Sequence, residues 1–320
     1  MAAEMTVTSA HPPAVGAIDI GGTKIAVAVV DSTGRIVAKE EVPTAPERGF
    51  TAAMEEVGAS LERLRALARV ALRGIGIGCT GPVDPVRGEI REVEFLPGWE
   101  GCNPTKLLGE RFEMGVVMEN DADAAALGEA LWGAGKGRKN QISVTIGTGI
   151  GGGILIDGAL YRGAGGAHPE IGHHVIDSSG PRCFCGASGC WEALASGPAL
   201  VRHFLQHQPA GSIAHTAASI CAAARGGGSA AQRAVAIEAQ YLGIGLSNLI
   251  TLFMPEIIVL SGSVMESADL FLPAIHQVID SSCGLVPARM VELVCSSFGR
   301  EAPLIGAAAV WHFRNQRTFS

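Results

Sequence analysis

The sequence has no block of lysine or arginine, and its 24 basic residues are outnumbered by 31 acidic ones, for a formal net charge of −7. The non-specific attraction to phosphate backbones that nucleic-acid binders use is therefore missing. The opening MAAEMTVTSAHPPAV has no basic segment leading into an apolar core, so it does not read as a secretory signal. No apolar run reaches the ~20 residues that span a bilayer. Even IAVAVV, residues 25–30, is closely flanked by Asp19, Lys24 and Asp31. Low-complexity stretches are also missing, and only ARGGGSAAQ, residues 224–232, reads as a flexible surface loop. These absences describe a soluble, cytoplasmic protein with no nucleic-acid or membrane partner. What is present is 320 residues, 48% of them hydrophobic and 17% charged, enough for two ordinary domains with compact cores.

The eight cysteines do not form the disulfide framework of a small secreted domain. Cys79, Cys102, Cys221, Cys283 and Cys295 are scattered, mostly in apolar settings, and read as buried reduced thiols. The other three fall in GHHVIDSSGPRCFCGASGC, residues 172–190, which holds Cys183, Cys185 and Cys190 with His173 and His174 upstream. A C-x-x-C redox pair is absent. Three sulfurs and one imidazole suit tetrahedral Zn²⁺ in a closed structural site. Gly186 and Gly189 supply the tight turns that a chelating loop needs. On the residues alone, either histidine can be the fourth ligand.

The segment VGAIDIGGTKIAVAVVDSTGRIVAKEEV predicts three strands joined by turns at Gly21-Gly22 and at residues 31–34. GFTAAMEEVGASLERLRALARVAL has apolar residues at helical spacing, and GIGIGCTGPVD is a buried strand ending in a Gly-Pro loop. MGVVMEND predicts a strand and ADAAALGEALWGA an alanine-rich helix stopped by glycines. NQISVTIGTGIGGGILIDGALYRG then repeats the strand, glycine turn and strand. Helices follow through WEALASGPALVRHFL and AAQRAVAIEAQYLGIGLSNLITLF, then a strand in EIIVLSGSV and a last helix in PLIGAAAVWHFRNQ. IDIGGTKIAVAVV and VTIGTGIGGGILI echo each other at a separation too long for a solenoid. The expected architecture is α/β, with two duplicated lobes around a cleft. Residues 1–119 form a small lobe joined by the C-terminal helix 304–320, and residues 120–303 form a large lobe carrying the cysteine loop.

DIGGTK, residues 19–24, is neither a Walker A loop nor G-x-G-x-x-G. Its chemistry still suits phosphate. Gly21 and Gly22 let backbone approach a ligand, and their N–H groups can face anionic oxygens with the Thr23 hydroxyl and the Lys24 ammonium. Asp19 is a carboxylate in an otherwise apolar strand and needs a partner there. A Mg²⁺ carried by a nucleotide would supply one. The plainer alternative is a hairpin turn with an exposed Asp. GTGIGGG, residues 147–153, offers a second grip through Gly147, Thr148 and Gly149, with a glycine-rich hairpin as its plain alternative. Asn120 and Asp121 stand where a strand gives way to a helix, and a carboxylate there gains from the helix N-terminus. Asp121 could position a hydroxyl for phosphoryl transfer, or either residue could simply cap the helix.

In their order, DIGGTK, GCTGPVD, ENDADAAALGE, GTGIGGG, EIGH and CFCGASGCWEALASG resemble ROK proteins, named for repressor, open reading frame and kinase. The resemblance runs from about Val15 to the final helix. It implies the actin-like, ribonuclease-H-like ATPase fold and phosphorylation of hexoses or N-acetylhexosamines with Mg·ATP. It implies Asp121 as general base and sugar contacts from Asn120, Glu170, His173 and Glu192, with Gly81 lining the pocket. It assigns the phosphates to Asp19, Gly21, Gly22, Thr23, Lys24, Gly147, Thr148 and Gly149. It implies structural zinc on His173, Cys183, Cys185 and Cys190, favouring His173 over His174. Zinc would then order Glu170, His173 and Glu192 around the sugar. Glucose, attacked through its C6 hydroxyl, is the first expectation; N-acetylmannosamine, N-acetylglucosamine and fructose are the alternatives.

Three departures stand out. Asp123 replaces the Asn common in family glucokinases, Pro169 stands where they usually have Gly, as in the family's fructokinases, and VLSGSV is less glycine-rich than the family's loop near the adenosine. The competing class is a sugar-sensing regulator. Family repressors place a helix-turn-helix before the phosphate turn, whereas 18 residues precede Asp19 here, with no room for one. A homodimer is expected, as is common for soluble enzymes.

Overall fold

The computed structural model describes residues 14–207 and 215–316. Residues 1–13 of the opening segment that does not read as a secretory signal lie outside the described residues, as do the last four residues of the 304–320 segment. The chain divides into two compact units, Met1–Gly128 with Glu301–Ser320, and Glu129–Arg300.

In the first unit, β1 (Ala14–Ile20) and β2 (Lys24–Asp31) are buried almost throughout, as expected of continuous apolar runs inside a sheet. β3 (Ile36–Pro43) alternates more and less exposed positions at the sheet edge. Then follow α1 (Phe50–Ala68), β4 (Leu72–Cys79), the small hairpin β5 (Val83–Asp84) and β6 (Glu89–Ile90), α2 (Pro104–Phe112), β7 (Val116–Asn120) and α3 (Asp121–Trp132). The sheet order is β3-β2-β1-β4-β7. Its first three strands pair antiparallel, while β1, β4 and β7 are parallel. Ile20, Cys79 and Asn120 lie abreast in this register, so three strands end on one edge.

The second unit repeats the plan. β8 (Gln141–Ile146), β9 (Ile150–Ile156) and β10 (Ala159–Leu160) are followed by α4 (Trp191–Ala195), α5 (Gly197–Leu205), α6 (Ala217–Arg225) and α7 (Ser229–Phe253). β11 (Ile257–Ser261), α8 (Ala268–Ser282) and β12 (Glu292–Cys295) complete it. The order β10-β9-β8-β11-β12 has the same pairing directions as the first sheet. The expected duplication is therefore present strand for strand. Among the described residues, α7 is long and apolar enough to cross a membrane by composition, but 56% of its most apolar window is buried inside the protein. Its Gly245 accommodates the Trp191 ring, whose Nε1–H donates to the Tyr241 carbonyl at 3.0 Å.

The chain returns to the first unit as α9 (Ala302–Gln316), which lies against β1, β4 and β7. Small residues make this possible. A Cβ on Gly76 would lie 1.9 Å from the Ala307 carbonyl oxygen, and one on Gly306 would lie 2.6 Å from the Ala124 backbone. The second contact keeps the start of α3 with the first unit. The division accordingly falls inside that helix, past the 119/120 boundary set from the sequence. Arg314 of α9 donates to the buried Glu119 of β7 at 2.5 Å.

Two expectations need correction. Of residues 224–232, only Gly226–Gly228 connect elements; Ser229 already begins α7, because alanine and glutamine favour helix once the glycines are passed. Among the five scattered thiols, Cys79, Cys221 and Cys283 are buried and Cys102 is half-buried, but Cys295 is exposed at the end of the short edge strand β12. All eight cysteines are free of disulfides.

The seat of α9 yields a direct test. Gly76→Ala sets a methyl against backbone that cannot swing aside and should cost about 1–3 kcal/mol in a urea titration. Gly284→Ala, with nothing within 4 Å of its Cβ, is the control and should change little.

Candidate functional site

The shared edge of β1, β4 and β7 gathers the first set of polar groups. Asp19 sits one residue before the end of β1, opposite Gly78 of β4. A Cβ on Gly78 would lie 3.7 Å from both Asp19 Oδ1 and the Asp121 Cα, so these two residues converge beside Gly78. Burial pushes the Asp19 carboxyl up to about 7, and the Asp121 charge pushes the same way, against the opposing effect of Lys24. The exposed-Asp alternative is therefore not what the fold contains, although the hairpin is.

Gly21 and Gly22 form the β1–β2 turn. The Gly21 N–H donates to the Lys24 carbonyl at 3.1 Å. Thr44 pins the turn by donating its hydroxyl to the Gly21 carbonyl at 2.6 Å and its N–H to the Thr23 carbonyl at 3.1 Å. Thr23 and Lys24 are exposed. The Lys24 ammonium pairs with Glu41 of β3 at 2.5 Å, both side chains being 59% exposed. So open a pair is worth about 0–1 kcal/mol, and a phosphate can compete for the lysine. Thr44 and Glu41 belong to no motif in the sequence; only the β2–β3 pairing brings them here.

Asn120 ends β7 and Asp121 opens α3. Both carboxamide and carboxylate Oδ1 atoms accept the Ala122 N–H, at 2.9 and 2.8 Å. The Asn120 Nδ2 donates to the Gly81 carbonyl at 3.2 Å. Gly81 holds φ of 80°, and a Cβ there would meet Val93 at 2.5 Å, so this close approach needs glycine. Asn120 thus caps the helix and also fixes Gly81, while Asp121 is half-buried at the helix N-terminus. Asp123 is wholly buried in the first turn of α3 and does not point to solvent.

The second unit carries the other set. Gly147 donates to the Gly149 carbonyl at 2.9 Å, and Gly197 at the start of α5 donates to the Gly147 carbonyl at 2.7 Å. Thr148 at the tip is exposed. Glu192 of α4 accepts the Ile150 N–H at 2.8 Å. A Cβ on Gly149 would lie 2.3 Å from that same oxygen, so the glycine turn is what admits the carboxylate. Glu170 is exposed just before a single 3₁₀ turn, Ile171–His173, whose Gly172 lies flush on β9.

His173, Cys183, Cys185 and Cys190 present ligand atoms that all lie within 4.8 Å of one another. His173 Nδ1 and Cys183 Sγ are 3.5 Å apart, as are Cys185 Sγ and Cys190 Sγ. Four atoms so spaced can surround a tetrahedral ion at the ~2.0–2.3 Å typical of zinc. Positive φ at Gly186 and Gly189 turns the loop, and Cys183 N–H to Ala187 carbonyl at 2.8 Å closes it. His174 is directed elsewhere: its Nδ1 bonds the Ile171 carbonyl at 2.5 Å and its ring lies against Trp191. Cys190 immediately precedes α4, so the cluster adjoins the helix that carries Glu192.

The ROK family model matches residues 15–314. A glucokinase of Streptomyces coelicolor is 35% identical over 314 residues, spanning 91% of this chain and 95% of its own. A xylose repressor of Bacillus subtilis is 34% identical over 247 residues, 75% of this chain and 61% of its own. The crystal structure of a ROK family glucokinase from Streptomyces griseus in complex with glucose and AMPPNP aligns with a TM-score of 0.77 at 33% identity, covering 92% of this chain and 98% of that one. The duplicated sheets, the two glycine turns and the Cys/His loop agree with that likeness, and the chain belongs to the ROK family, with its actin-like ATPase fold.

Proposed function

We propose that this chain transfers phosphate from ATP to the C6 hydroxyl of glucose. The observation that carries the reading is the convergence of Asp121, Asn120, Asp19 and the Gly21–Gly22 turn on one sheet edge of the first unit. The bound glucose and ATP analogue of the Streptomyces griseus relative support it. Phosphoryl transfer has a loose transition state, so catalysis consists mainly of positioning and charge stabilisation. Asp121 accepts the proton of the attacking hydroxyl, held in place by the first turn of α3. Asn120, Gly81, Glu170, His173 and Glu192 take the sugar hydroxyls, carboxylates being strong acceptors for vicinal O–H groups. Gly21, Gly22, Thr23 and Lys24, with Gly147, Thr148 and Gly149, take the phosphates. Mg²⁺ supplies neutralising charge on the phosphates, and the Asp19 carboxylate fits it as a negative group otherwise buried against Asp121.

The Cys₃His set fits structural Zn²⁺ by its donor chemistry and spacing. With four protein ligands and no open position, His173, Cys183, Cys185 and Cys190 would hold zinc as a structural ion, which would order the loop with Glu170 and His173 and the helix with Glu192 and would fix the tautomer of His173.

An ADP-release assay with ATP, Mg²⁺ and glucose, mannose, fructose, N-acetylglucosamine or N-acetylmannosamine should give the highest kcat/KM for glucose. Asp121→Asn should lower kcat about 10²–10⁴-fold while glucose affinity by calorimetry stays within a few-fold. No turnover with any sugar, together with glucose binding, would favour the sensing role suggested by the likeness to a xylose repressor. Zinc removal should lower the melting temperature and weaken glucose binding about 10-fold or more. Unchanged glucose affinity in folded, zinc-free protein would contradict this ordering role.

A further inference from the structure

Phe95 is 56% exposed, yet the loop that presents it is firmly built. Two consecutive turns shape it: the Leu96 N–H donates to the Val93 carbonyl and the Trp99 N–H to the Leu96 carbonyl, both at 3.1 Å. Its base is stapled by Ile90 N–H to Cys102 carbonyl and Arg91 N–H to Pro82 carbonyl, both at 2.9 Å. On either side of Phe95 the apolar side chains are buried, with Val93 at 8%, Leu96 at 1% and Trp99 at 0% exposure. Trp99 also makes an edge contact with Phe50 at 5.4 Å. The loop therefore has its anchors without Phe95, and packing does not explain a large aromatic held out to water at its tip.

Its surroundings do. A Cβ on Gly22 would lie 2.8 Å from the Phe95 Cβ and 3.2 Å from its carbonyl oxygen, so Phe95 rests directly against the first glycine turn. Two residues earlier, Val93 packs on Gly81, whose carbonyl is held by Asn120. The loop thus runs as a ledge from the Asn120–Gly81 pair to Gly22, all within the first unit, with one exposed aromatic ring at the end nearest Gly22.

Resting on the kinase reading above, we propose that Phe95 is a specificity-determining contact for the sugar, its ring covering an apolar C–H face of the pyranose beside Gly22 and Gly81. The polar groups named above answer the hydroxyls of a hexose but leave its C–H faces without a partner. Glucopyranose, with its ring hydroxyls equatorial, offers such a face broadly, and an aromatic ring removes it from water with little loss of side-chain freedom. The residue lies outside every motif that marks the rest of the site.

The test is steady-state kinetics on the full-length, zinc-loaded protein, with thermal melting as a folding control. Phe95→Ala should raise the glucose KM about tenfold and leave the ATP KM within about twofold and kcat within about threefold. Phe95→Tyr and Phe95→Trp should restore the glucose KM to near the wild-type value, whereas Phe95→Leu, apolar but without a flat face, should fall between. A rise in the ATP KM alone would overturn the inference and place the ring over the phosphates. An unchanged glucose KM in Phe95→Ala would overturn it outright. Wild-type protein with no sugar-dependent turnover would instead defeat the kinase reading itself.

Discussion

Holding the Asp19 carboxyl at the buried end of β1, against the charge of Asp121, is the unfavourable interaction around which the first unit is arranged. The Asp19 carboxyl is desolvated among its neighbours, so its charge is costly. Lys24 offsets part of the cost, but its ammonium is turned to Glu41 on the exposed face of β2 and β3. The parallel register of β1, β4 and β7 makes the crowding unavoidable, since it sets the ends of all three strands abreast. Gly81 allows the close approach of Val93, Asn120 fixes the loop, and α3 presents its N-terminus to the carboxylate that opens it. A site arranged this way is incomplete by itself; it is suited to a ligand that brings positive charge with it.

The second unit solves a different problem with the same economy of side chains. Its glycine turn has no bulk to hold it, so neighbouring groups reach in: Glu192 bonds the backbone at Ile150, and Gly197 bonds the carbonyl of Gly147. Glu192 is carried by a helix of five residues, too short to be stable alone. That helix begins at Cys190, one corner of the Cys/His cluster, and its Trp191 is buried over Gly245 of the long core helix. The Cys/His cluster at its start and a tryptophan in the core therefore flank the helix that carries this carboxylate.

Much of this was legible in the sequence because the signals are local. The paired glycine turns, the strand-to-helix step at Asn120–Asp121 and the spacing of Cys183, Cys185 and Cys190 are all contained in short segments. Two kinds of feature were not legible. α8 carries Pro273 inside it, which reads as a breaker, and β12 is four residues long with little burial. Long-range pairings were the other kind. Nothing local says that Lys24 meets Glu41, that Thr44 pins Gly21, that Asp123 turns inward or that Phe95 rests on Gly22. Each of these depends on strand register or loop closure. The division within α3 is of the same kind, since it follows from Gly306 of α9 seating against that helix.

Stability against pH, with and without the Asp19 carboxyl, tests the central claim most directly. An Asp held at about 7 in the folded protein and 3.8 otherwise binds more protons folded than unfolded between those values. Stability is therefore lost as pH rises through that window, and the whole cost is present above it. Asp19→Asn should accordingly be more stable than wild type by about 4 kcal/mol at pH 8 and within about 1 kcal/mol of it near pH 4, in urea titrations of the ligand-free protein. A difference between the two proteins that does not change from pH 4 to pH 8 would show that Asp19 carries no buried charge, and the account of this edge would be wrong.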